Sequence, residues 1–144
     1  MVGKGTILYF AVPLFDAHRE HDYWVYRADA VNALNGFLPM RLVQVSAPGW
    51  AEVTLHTQSA SEEYPARQIV HVVTCHPRRS MQPIPHVDQS WITSDMSIKV
   101  LRQNGVLQRV YLAPDMQPLL FAQDGNYVQI DLPPVGTHTV IVIE

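Results

Sequence analysis

Ile69-Val70-His71-Val72-Val73 packs four β-branched aliphatic side chains into five residues, dense enough to read as a central strand. The same period of two extends outward from it. Val53 and Leu55 alternate with Thr54 and His56, and Leu42, Val43 and Val45 begin the pattern. Downstream come Ile98, Val100 and Leu101, then the stretches 106–112, 119–122, 127–132 and 137–143. About eight short strands at roughly 8–12-residue spacing predict an antiparallel β-sandwich over residues 41–144. Asn104-Gly105 and Asp124-Gly125-Asn126 supply the residues that tight hairpins need. Pro77, Pro83 and Pro85 remove ladder donors, so the stretch from His76 to Gln89 should be a long connection between sheets or along an edge.

Ahead of this region the pattern differs. Gly5-Thr6-Ile7-Leu8-Tyr9-Phe10-Ala11-Val12 reads as a strand that is apolar on both faces. Trp24, Ala28, Val31, Leu34 and Leu38 then repeat at helical spacing, with Arg27, Asp29 and Asn32 on the outward side. Asp16 or Asp22 can cap the helix, Asn35-Gly36 can end it, and Pro39 prevents its resumption. The face bearing Trp24, Ala28 and Val31 is expected to pack on the sandwich, where Trp24→Ala would cost roughly 3–5 kcal/mol. Strand then helix is half of a βαβ unit. Residues 1–40 are therefore expected to be the terminal strand and helix of an α/β domain whose remainder lies elsewhere. The fold class is mainly β: a sandwich preceded by one strand and one helix.

Composition narrows the functional classes. The 144 residues carry a formal charge of −3, which offers no basic footprint for nucleic acid. No stretch approaches the roughly 20 apolar residues of a membrane helix, and the first residues lack a signal-peptide pattern. The chain reads as soluble, with the cytoplasm favoured over export. Its one cysteine, Cys75, excludes an intrachain disulfide and reads as a small buried hydrophobe.

Candidate chemistry is sparse. His18 and His21 stand three residues apart, which on a helix puts both rings on one face where they could share a metal. No third ligand is evident, and a polar first turn is the simpler reading. Cys75-His76 is too tightly spaced for paired zinc ligands, and Arg78-Arg79 reads as a solvated loop pair. Neither Glu62-Glu63 nor Asp115, Asp124 and Asp131 form the carboxylate pair that glycoside hydrolysis needs. No cofactor motif is present. Trp50, Trp91, Tyr111 and Tyr127 are aromatic candidates for stacking on a sugar ring. The two tyrosines read as strand packing, which leaves Trp50 and Trp91 as the carbohydrate-binding candidates.

Several segments taken together resemble the C-terminal region of bacterial beta-galactosidase-like glycoside hydrolases. Residues 3–10 with Pro13-Leu14-Phe15 are similar to the closing strand and loop of their trimerisation domain. Tyr26-Arg27 and Asn32-Ala33-Leu34 are similar to its last helix. Residues 70–74, Pro77-Arg78-Arg79, residues 110–115 and residues 138–144 are similar to the family's C-terminal β-sandwich. Where the family often reads Asn-Tyr-Thr-Pro, this chain has Thr74-Cys75-His76-Pro77. The resemblance implies a parent with a catalytic (β/α) barrel and an amidotransferase-like α/β domain. Its catalytic carboxylates would lie in that barrel. On this reading the chain is a non-catalytic accessory region whose partners are the missing barrel and α/β domain. A homo-oligomer and a carbohydrate are further candidate partners, and a carbohydrate-binding module is the alternative reading.

Overall fold

The computed structural model describes residues 3, 5, 7–21, 23–38, 40–48, 50–74, 92–103 and 107–144. The chain divides into two compact units, Met1–Arg41 and Leu42–Glu144.

Among its described residues the first unit holds two helices, α1 (Leu14–His21) and α2 (Trp24–Phe37), where the sequence predicts one. Asp16 lies in the first turn of α1, and His18, Arg19 and His21 lie in the last, the arrangement that complements a helix dipole. Asp22 lies outside the described residues, and Asp16 and Gly36 do not cap α2. Its N-cap is Tyr23, extended at φ −75° and ψ 123°, with no side-chain cap bond. Gly36 stays inside the helix, which ends when the Leu38 N–H bonds the Leu34 carbonyl at 2.8 Å.

Residues 7–12 form no strand. A strand must satisfy its backbone groups on a neighbour, and the first unit has no other named strand among its described residues. Ile7, Leu8, Tyr9 and Val12 are exposed, as are Trp24, Val25, Val31 and Leu34 along α2. Only Leu14 and Ala30 are buried in the two helices. Trp24 is 74% exposed, so the cost of losing a buried aromatic does not apply to it. Trp24→Ala is expected to change stability by less than about 0.5 kcal/mol in denaturant unfolding. A loss above about 2 kcal/mol would show that Trp24 is buried in solution.

The second unit is the mainly β architecture predicted. Among the described residues its nine strands are β1 (Val43–Ser46), β2 (Ala51–Gln58), β3 (Arg67–Thr74), β4 (Ser97–Leu101), β5 (Val110–Ala113), β6 (Gln117–Pro118), β7 (Phe121–Asp124), β8 (Tyr127–Asp131) and β9 (His138–Ile143). They form a four-stranded sheet, β1-β4-β8-β7, and a five-stranded sheet, β2-β3-β9-β5-β6. Each pairing is antiparallel. The Ile69–Val73 run is a central strand, flanked by β2 and β9.

The period-two pattern decides which side of each strand meets the core. Val70 and Val72 of β3, Ile98 and Val100 of β4, Val128 and Ile130 of β8 and Ile141 of β9 are all fully buried. Gln68 adds a polar strap at 3% exposure: its amide nitrogen donates to the Leu101 carbonyl at 3.0 Å, tying β3 to β4 of the other sheet.

Of the two expected hairpins, one forms. Gly125 takes φ 60° between paired Asp124 and Tyr127, and glycine at the first central position is what a type II′ turn requires. The strands flanking the other, β4 and β5, belong to different sheets. Asn104-Gly105 themselves lie outside the described residues. The expected connection over residues 76–89 also lies outside them.

Candidate functional site

The face of the five-stranded sheet turned away from the core carries a cleft of about 430 Å³. Register builds its floor. Ile69 pairs with Val142, and Val142 with Tyr111, so the three side chains form a row across β3, β9 and β5. His71, Val140 and Ala113 form the adjacent row. Tyr64, Arg67, Arg109, Pro114, Met116 and Glu144 complete the lining.

One carboxylate organises the cleft's charged end. The Glu144 side chain is 3% exposed. Its Oε2 accepts the Arg109 Nε–H at 2.5 Å, and its Oε1 accepts the Tyr111 hydroxyl at 2.9 Å. Arg67 Nη1 lies 3.6 Å from Oε1, while Arg67 Nε donates to Gln58 Oε1 at 2.6 Å. The arginines also lie over aromatic rings, Arg67 on Tyr64 at 4.8 Å and Arg109 on Tyr111 at 5.0 Å.

Burial alone would raise the Glu144 pKa. The bonds from Arg109 and Tyr111, with the charges of Arg109 and Arg67, outweigh burial and hold it below its ordinary value of 4.5. Tyr111 moves the other way. Burial raises it first, and its bond to Glu144 adds to the rise. The cluster thus favours an ionised carboxylate beside a neutral phenol at neutral pH, an arrangement suited to holding β3, β5 and β9 together.

Beside the cleft stands a second cluster of three histidines. His71 Nδ1 and His138 Nε2 are 3.1 Å apart, and their rings are stacked at 15° with centroids 5.4 Å apart. His56 meets the His71 ring edge-on at 5.4 Å.

The residues singled out in the sequence fall elsewhere. His18 and His21 lie on α1, with the His21 Nε2 3.9 Å from Glu20 Oε2 and the His18 Nδ1 buried without a hydrogen-bond partner. Among the described residues no group of three His, Cys, Asp or Glu side chains is placed to hold an ion. Trp50 stands 41% exposed in the turn before β2. Trp91 lies outside the described residues, as do Cys75-His76 and Arg78-Arg79. Tyr111 is 6% exposed, which agrees with strand packing. Asp124 is bound to Lys99 at 2.7 Å, and that hydrogen bond lowers its pKa.

No protein-family model matches the chain, and no curated protein matches it. Among solved structures it resembles alpha-L-fucosidase isoenzyme 2 from Paenibacillus thiaminolyticus, with a TM-score of 0.78 and 21% identity over 91% of this chain. The chain spans 19% of that protein's length. At this identity the likeness establishes a shared fold, one that occurs within a glycoside hydrolase. It does not single out the beta-galactosidase-like proteins. No helix among the described residues is long and apolar enough to cross a membrane.

Proposed function

We propose that the chain is a non-catalytic accessory region of a glycoside hydrolase, serving domain packing or assembly. The observation that carries this reading is the apolar surface of the first unit, where Ile7, Tyr9, Trp24 and Leu34 all stand exposed. Surface of this kind marks an interaction site. The candidates to cover it are a catalytic barrel and α/β domain of a longer parent, or a second copy of the chain. The fold shared with a fucosidase, of which the chain spans about a fifth, supports the glycosidase context.

The carboxylate chemistry points the same way. A glycosidase needs a general acid with a raised pKa beside a second carboxylate, whereas Glu144 is held low by its arginine and tyrosine partners. The purified chain should therefore not turn over aryl α-L-fucosides or aryl β-galactosides. Turnover that copurifies with the chain and disappears in Glu144→Gln would overturn the non-catalytic reading. Sedimentation velocity tests the packing role. The wild-type chain should self-associate as its concentration rises, and a Trp24→Ser, Leu34→Ser double variant should do so far less. A monomeric wild type that binds no hydrophobic dye would leave the surface without a packing role.

Exposed Trp50 favours the alternative of a carbohydrate-binding module. Calorimetric titration with fucosides, galactosides and plant-wall oligosaccharides separates the two. Heat that vanishes in Trp50→Ala would select the module, and a silent panel would remove it.

A further inference from the structure

We propose that His71 and His138 form a two-histidine chelate for a borderline divalent cation, Zn²⁺ or Cu²⁺, across strands β3 and β9. The pair arises from register. Val73, not His71, lies opposite His138, so the two imidazoles meet on a diagonal of the outward face. Their nitrogens are 3.1 Å apart. Two ligands at about 2.0–2.1 Å from one tetrahedral ion would be separated by about 3.3–3.4 Å, so the gap is already close to a chelating bite.

In the absence of a cation the contact requires one nitrogen to carry a proton and the other to lack it. A cation replaces that proton once the donor ring adopts its other neutral tautomer. Imidazole suits Zn²⁺ and Cu²⁺, and Cu²⁺ should bind more tightly. With no third His, Cys, Asp or Glu placed to close the site among the described residues, water would complete the coordination. His56 packs edge-on against His71; it orients the ring and is not a ligand. The resulting staple would join two neighbouring strands at the end of the cleft.

Calorimetric titration of the full chain with ZnCl₂ and with CuCl₂ tests this. Expected is saturable binding of one ion per chain, tighter for Cu²⁺. Binding should weaken at least about tenfold in His71→Gln and in His138→Gln, while His18→Ala stays within about threefold of wild type. Ring-proton NMR of the unaltered chain avoids reliance on the folding of the variants: the His71 and His138 resonances should move on adding Zn²⁺. No binding in the wild type, binding indifferent to His71 and His138, or loss of binding in His18→Ala would each overturn the assignment.

Discussion

Ile141→Ala is expected to destabilise the β-sandwich by about 2–5 kcal/mol, the usual cost of truncating a buried isoleucine. Ile141 is fully buried on β9, with Val70 of β3 on one side and Leu112 of β5 on the other. Its side chain fills the core shared with Ile98, Val128 and Ile130 of the opposite sheet. Two flanking strands hold its backbone in place, so the walls cannot readily collapse into the space left behind. The cavity cost then adds to the lost transfer energy. Leu120 provides the contrast at 93% exposure, and Leu120→Ala should change stability by no more than about 0.5 kcal/mol. Urea unfolding followed by circular dichroism measures both. An Ile141→Ala loss below about 1 kcal/mol would mean that β9 does not occupy the centre of the sheet.

The second large effect is Glu144→Gln, expected to cost about 1.5–3 kcal/mol at neutral pH, the worth of hydrogen bonds to a charged group. The figure stays below that for breaking a fully buried ion pair because the arginine side chains, at 20% and 53% exposure, remain in contact with water. The pH dependence follows from the direction of the shift. A carboxyl whose pKa is lowered by folding contributes stability that is full above its unfolded value and is lost as pH falls through the folded one. With the ordinary value at 4.5 and the folded value below it, wild type should exceed Glu144→Gln at neutral pH, and the gap should close under acid. Denaturant midpoints for both proteins across that range give the answer. A gap that persists unchanged into strong acid would show that Glu144 contributes through shape and not through charge.

The sandwich was legible because its core strands alternate without interruption. Val70 and Val72, or Ile98 and Val100, announce one buried face each, and period two needs no knowledge of partners. The first unit misled for the opposite reason. Residues 7–12 have strand composition, but a strand exists only with a neighbour, and composition does not say whether one is present. Gly36 marks a helix end only when the chain turns left-handed there, and α2 continues through it. Asn104-Gly105 suggested a hairpin from a local signal, whereas tertiary placement put β4 and β5 in different sheets.

The site was largely illegible. Arg67, Arg109, Tyr111 and Glu144 are scattered in sequence and converge only because β9 inserts between β3 and β5. The same insertion brings His138 to His71. The one available signal was a histidine inside a valine-rich strand, which period two places on the outward side.

The position of β9 also sets the order in which the molecule can be made. As the polypeptide is synthesised, β3 and β5 emerge long before the strand that must lie between them, and the five-stranded sheet waits with an open slot. Two unpaired, largely apolar edges then face solvent, the kind that recruits strands from other chains. Closing the slot pairs segments far apart in sequence, which makes folding slow and the waiting state prone to aggregation. A sheet completed from its middle is thus most exposed to misassembly in the interval before β9 is in place.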